Sequence, residues 1–154
     1  MRTVDRLFVR APADRMFEAA ADVVRWPDIL PHYRWVRFSE RRADGGRVEM
    51  AAVRPFGPAR WPVWWESEMW IDPATREVRY RHVRGVTTGM DVVWTVEPHD
   101  EQRTEVTIVH TWDGPPWPLI RRPAADWIIG PVFVHGVASR TLAGLARAVE
   151  SAHG

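Results

Sequence analysis

His82 and His110 stand at inward positions of two strand-like segments, within an otherwise apolar set of side chains. An imidazole titrates near neutrality, so either one can take a proton as a general base. The inward assignment follows from strand parity, since successive side chains of a strand alternate between faces. In the segment Trp61–Ile71, Glu66 and Glu68 take the outer face, which leaves Trp61, Val63, Trp65, Ser67, Met69 and Ile71 inside. In the next segment Glu77, Arg79 and Arg81 point out, and Val78, Tyr80 and His82 point in. The same count turns Met90, Val92, Trp94 and Val96 inward, then Val106, Ile108, His110 and Trp112, and in an earlier segment Val48, Met50, Ala52 and Arg54. The inner face is thus walled by Trp65, Trp94, Trp112, Tyr80, Met50, Met69 and Val92, with Ser67, His82, His110 and Arg54 as its few polar groups. A mostly apolar surface with sparse, convergent polar groups is the profile of a small-molecule site. The bland reading makes each inward histidine a hydrogen-bonded core residue.

The elements that must carry these residues follow from periodicity and turn chemistry. Thr3–Arg10 reads as a strand, and Pro12 suits the first position of a helix, where a missing N–H costs nothing. Met16, Phe17, Ala20 and Val23 recur at helical spacing, which predicts a helix over Pro12–Val24 and a second short one over Trp26–Pro31. The pattern then changes to period two: Trp35–Arg42, a turn at Ala43-Asp44-Gly45-Gly46, Arg47–Arg54, Trp61–Ile71, Arg76–Arg84, Thr88–Glu97 and Thr104–Trp112. Gly114-Pro115-Pro116-Trp117-Pro118 ends the sheet, and the remainder reads as helix, kinked or restarted at Gly130-Pro131. Val134, Ala138, Leu142, Leu145 and Val149 draw an apolar stripe along it. An antiparallel sheet of this length curls, and one long amphipathic helix can lie in its concave face. The fold class is therefore α+β: a curved seven-stranded antiparallel sheet, two short helices after the first strand, and a long C-terminal helix.

Composition narrows the chemistry. A chain of 154 residues fits a single domain, here residues 1–154. There is no cysteine, which removes disulfides, thiolate nucleophiles and Cys-based zinc sites. All 21 basic residues are arginine, so a Schiff-base lysine is excluded. A net charge of +1 with interleaved signs leaves no nucleic-acid footprint. The six histidines lack spacings such as H-x-H or H-E-x-x-H, so no metal ligand set is assigned. Ser67 lacks a nucleophile elbow, and neither a P-loop nor G-x-G-x-x-G is present. No apolar run is long enough to span a bilayer, and the start lacks a signal-peptide core, which predicts a cytoplasmic location without stable membrane insertion. The mixed stretch Trp117–Arg122 reads as a loop on the helix rather than a membrane-touching element.

Ten tryptophans exceed what a small core needs. Trp65, Trp94 and Trp112 are assigned to the pocket, whereas Trp64 and Trp70 fall outside, beneath loops or at a homodimer contact. Trp117 and Trp127 are candidate anchors for a partner protein.

Ala11-Pro12, the segment Arg25-Trp26-Pro27-Asp28-Ile29-Leu30-Pro31-His32-Tyr33, the strand Val63-Trp64-Trp65-Glu66-Ser67 and the terminal Arg140–Leu145 helix resemble the START-like helix-grip (SRPBCC) superfamily. Within it the chain is similar to polyketide aromatase/cyclases of the cyclase/dehydrase type. The resemblance implies a sheet wrapped around the last helix, a deep pocket, and cofactor-free aldol cyclisation and dehydration of a poly-β-ketone. It also implies an arginine in the pattern W-x-S-x-R, where this chain reads Trp65-Glu66-Ser67-Glu68-Met69. Arg54 is the candidate substitute, and Tyr33 matches the tyrosine near the pocket mouth. The expected catalytic set is His82 or His110 as base, with Arg54, Tyr33 and Ser67 as donors to the enolate oxygen. The alternative is a non-catalytic carrier of a hydrophobic ligand such as a quinone, lipid or aromatic metabolite, which the loss of arginine at Met69 favours.

Overall fold

The computed structural model describes residues 1–56, 59–114 and 134–153, with the backbone course alone at 54–56, 59, 61 and 153. The side chains of Arg54 and Trp61, the segment Trp117–Arg122, Trp127 and the Gly130-Pro131 kink thus lie outside the described residues. The elements run β1 (Arg2–Val9), α1 (Ala13–Ala21), a 3-10 turn (Val23–Arg25), α2 (Trp26–Ile29), β2 (Tyr33–Arg42), β3 (Gly45–Phe56), β4 (Ala59–Asp72), β5 (Glu77–Gly85), β6 (Asp91–Pro98), β7 (Thr104–Thr111) and α3 (His135–His153). All seven strands form one antiparallel sheet in the order β1-β7-β6-β5-β4-β3-β2. Six consecutive strands make a meander, and β1 pairs with the last of them.

The expected helix over Pro12–Val24 is shorter. It stops at Ala21, where Asp22 leaves helical geometry and its N–H donates to Glu18 O. The β-branched Val23 and Val24 continue only as a 3-10 turn, and Pro27 then sits in the first turn of α2. The strand expected from Thr88 begins only at Asp91. Thr88 N–H donates to Gly85 O, and Gly89 at φ +91° belongs to the turn before it.

The β2–β3 turn requires its glycines. Gly45 and Gly46 both lie at φ +138°, and a Cβ would collide with Met69 O at the first and with Glu40 O at the second. Gly46→Ala is expected to lower stability by about 1–3 kcal/mol through backbone strain, measured by urea denaturation.

The core lies between the concave face of the sheet and the helices. All five residues of the expected stripe on and just before α3, from Val134 to Val149, are buried, together with Ala146. Val9, Met16, Ala20, Val23 and Leu30 pack with them in one cluster with the inward strand residues. Parity holds along the central strands: Val78 and Tyr80, Val92, Trp94 and Val96, and Val106, Ile108 and His110 are buried, while Arg79, Arg81, Asp91 and Glu97 are exposed.

The outer face carries a lattice of charge and indole. Trp64 lies beneath the Arg84 guanidinium at 5.3 Å, and Trp35 beneath that of Arg37 at 4.4 Å. Glu66, expected outside, is on the outer face yet only 3% exposed, because Arg47 at 3.5 Å and Arg84 at 3.2 Å close over it. Pointing outward is a statement about direction and does not guarantee contact with water. Trp70 is the outer tryptophan left open, at 41% exposure. No helix among the described residues is long and apolar enough to cross a membrane.

Candidate functional site

The register of the sheet brings the chemistry-bearing residues to adjoining rungs. Met50 pairs with Trp65, Ser67 with His82, Tyr80 with Val92, and Val92 with His110. The β5–β6 hairpin continues past its last ladder pair, with His82 N–H donating to Met90 O and Gly89 N–H to His82 O. His82 and His110 therefore share the concave face two rungs apart, with β6 between their strands. A cavity opens there between the sheet, α2 and α3. Its described walls are Trp26, Trp65, Trp94, Tyr33, Tyr80, Met50, Met90, Val92 and Ile108, closed by Val134, Val137, Ala138 and Thr141 from the helix side. His82, His110 and Thr87 complete the lining. Its free volume is about 70 Å³, so the walls stand close together. Sites for drug-sized ligands span roughly 300–1,000 Å³, and a large guest must push these walls apart.

Of the expected site residues, His82, His110, Tyr33, Trp65, Tyr80, Trp94, Met50 and Val92 line this cavity. Ser67, Met69 and Trp112 are buried on the expected side but are not part of its lining. Ser67 is short and sits between Trp65 on its own strand and His82 across the rung, so it stays at the floor. Met69 pairs with Gly46 and Tyr80, and it is Tyr80 that reaches the cavity. Trp112 lies just past β7 with its backbone still hydrogen-bonded to Met1, and its indole N–H donates to Thr88 O at 3.0 Å, fastening the β5–β6 loop.

Trp26, Thr87 and Thr141 were not anticipated. Trp26, the first residue of α2, donates its indole N–H to Ala19 O at 3.0 Å. It packs against Tyr33 and Trp94 at centroid separations of 5.3 and 5.7 Å. Thr141 interrupts the apolar stripe of α3, a signal legible in sequence. Thr87 lies in a loop, where no periodicity marks it.

The histidines differ in their surroundings. His82 Nδ1 lies 2.6 Å from Thr87 Oγ1, and its ring is parallel to that of Trp65, 4° off plane with centroids 5.9 Å apart. In the tautomer whose Nδ1–H donates to Thr87 Oγ1, Nε2 is the basic atom of the ring. Burial pushes the His82 pKa down to about 3, with His110 adding to the effect. Burial likewise lowers His110 to about 4, with His135 adding, and His110 Nδ1 has no hydrogen-bond partner among the described residues. Both imidazoles are thus neutral near pH 7. The Tyr33 and Tyr80 hydroxyls are held protonated, their pKa values raised by burial. Tyr33 neighbours Thr141, whereas Tyr80 Oη has no partner among the described residues. Near the start of α3, His135 Nδ1 lies 2.6 Å from the buried Asp5 carboxylate. No Arg, Asp or Glu is among the described lining residues. Among the described residues no group of three or more His, Asp or Glu is placed to hold a metal ion.

Residues 9–131 match the model of a family described as polyketide cyclase/dehydrase and lipid transport. The chain is 31% identical over 111 residues to the granaticin polyketide synthase bifunctional cyclase/dehydratase of Streptomyces violaceoruber. That alignment covers 71% of this chain and 33% of the relative, so the chain spans about a third of that protein's length. In fold it is similar to the Zhui aromatase/cyclase of Streptomyces sp. R1128, with a TM-score of 0.78, 23% identity and coverage of 100% of this chain and 98% of that one. It is also similar to TTHA0849 of Thermus thermophilus, with a TM-score of 0.78, 18% identity and full coverage of both chains.

Proposed function

Because the chain belongs to the polyketide cyclase/dehydrase and lipid transport family, we propose that it catalyses cyclisation and dehydration of a poly-β-ketone substrate with its own side chains as acid and base. The observation that carries this reading is the pairing, in one apolar cavity, of two neutral imidazoles with the protonated Tyr33 hydroxyl. His82 Nε2 removes a proton from a methylene flanked by two carbonyls. Tyr33 O–H donates to the enolate oxygen as charge develops there. The enolate carbon attacks a second carbonyl of the same chain, forming the C–C bond as the carbonyl π bond breaks, and the new alkoxide takes up the proton that His82 had removed, which frees the base. His82 then removes a second methylene proton while Tyr33 gives its proton to the departing hydroxyl, which leaves as water, and the His82 proton passes to solvent as product departs. The indole walls fold the chain so that carbon and carbonyl meet, which replaces a large entropic part of the barrier. Arg54, on the β3 strand next to β4, is the remaining candidate donor.

A second reading, a carrier for a neutral hydrophobic molecule, is favoured by the absence of charge among the described lining residues and by Met69 where the family resemblance implies arginine. One experiment separates them. The protein is mixed with a thioester-linked poly-β-ketone surrogate, and indole fluorescence and products are followed together. Catalysis is expected to give saturable quenching and an excess of one aromatic product over the spontaneous mixture. Quenching with an unchanged product mixture identifies the carrier and rejects the cyclase.

A further inference from the structure

A polar path crosses the wall of the cavity. Tyr33 and Thr141 both line the cavity. His32, the residue before Tyr33, lines a separate groove between α2 and α3, beside Leu30, Arg140, Gly144 and Arg147. Pro31, Arg140 and Arg147 are exposed, so this groove faces solvent. His32 Nε2 lies 3.0 Å from Thr141 Oγ1, which in turn lies 3.4 Å from Tyr33 Oη. The same hydroxyl lies 2.8 Å from Val137 O, the ordinary resting acceptor of a helical threonine. A hydroxyl in the stripe formed by Val134, Val137 and Ala138 costs desolvation that valine would not, yet this one has three polar neighbours.

We propose that His32 and Thr141 form a proton wire that resupplies the Tyr33 hydroxyl from the solvent groove; this rests on Tyr33 acting as the acid in the reaction above. When Tyr33 gives its proton to a substrate oxygen, Thr141 O–H passes its proton to the phenolate. His32 Nε2–H passes its proton to Thr141 Oγ1, and His32 Nδ1 takes one from water or a buffer acid in the groove. One proton has then crossed from groove to cavity. His32 is left in its other tautomer, which exchange with groove water restores. Tyr80 has no such path: its buried Oη has no partner among the described residues.

The chain holds two tyrosines, so each is the control for the other. Tyrosine labelled with ¹³C at Cζ reports exchange of its own hydroxyl proton through the deuterium isotope shift in mixed H₂O and D₂O, with no substrate present. Tyr33 is expected to exchange at least about tenfold faster than Tyr80, because a wired proton escapes without the opening that buried groups otherwise need. Thr141→Val should slow Tyr33 by about tenfold and leave Tyr80 unchanged, Thr141→Ser should restore the fast rate, and His32→Phe, altered only at the groove end, should slow it as Thr141→Val does. Equal exchange at the two tyrosines, or a Tyr33 rate indifferent to both Thr141→Val and His32→Phe, overturns the wire. Turnover is read separately: the expected exchange without turnover keeps the wire and rejects the cyclase, and turnover with indifferent exchange does the reverse.

Discussion

His82→Gln is expected to lower turnover of a poly-β-ketone surrogate by about 10²–10⁴-fold, the usual contribution of a positioned general base. Glutamine keeps roughly the volume of the imidazole and an N–H for Thr87 Oγ1, but it has no basic nitrogen. The loss thus reports chemistry rather than packing, and an unchanged melting temperature is the control. A pKa of about 3 makes His82 a weak base in the resting cavity. The imidazolium is unfavourable there because burial has stripped it of water, and a developing enolate beside it supplies the missing counter-charge. In a low-dielectric site that ion pair is far stronger than in water, so basicity rises as the reaction proceeds. Thr87→Val should cost less than His82→Gln, since it frees the tautomer without removing the base. If His82→Gln and His110→Gln each left rate and product distribution unchanged, catalysis by these imidazoles would be rejected.

The face on which these residues stand was legible in the sequence, and their depth was not. Alternation of charged and apolar positions in β4 to β7 assigned Trp65, Tyr80, His82, Val92, Trp94 and His110 to the cavity side, because a strand has a period of two and one face meets water. The same rule placed Ser67, Met69 and Trp112 on that side, but reaching a cavity depends on side-chain length and on neighbours. Serine is too short beside Trp65 and His82, and Trp112 has turned to hold the loop at Thr88. Thr87 and Trp26 come from a loop and a short helix, where position is set by tertiary packing rather than by a repeat. Glu66 shows the converse, as an outward carboxylate that two arginines cover. The apolar stripe of α3 was readable throughout because nineteen helical residues carry it in one phase.

Acid should destabilise this fold earlier than carboxylate protonation would. Burial holds His82 near 3 and His110 near 4, against an ordinary value of 6.5, and burial with Arg140 lowers His32 to about 4. Above 6.5 both folded and unfolded chains carry these rings neutral, and their full contribution is present. As pH falls below 6.5 the unfolded chain binds protons that the folded chain refuses, so stability falls until about pH 4, where the folded rings begin to protonate as well. Each ring adds a slope of at most about 1.4 kcal/mol per pH unit in that window, less where it keeps contact with water. Asp5 acts with the opposite sign: its raised pKa, caused by burial and opposed by His135, adds stability as pH falls and offsets part of the loss. Urea denaturation from about pH 7 to about pH 5 should therefore show a decline of a few kcal/mol, with most of it abolished in the His82→Gln, His110→Gln double variant. A flat profile in the unmodified protein would mean that the two rings are solvated and chargeable. The same result would remove the dry, neutral pair on which the enolisation chemistry depends.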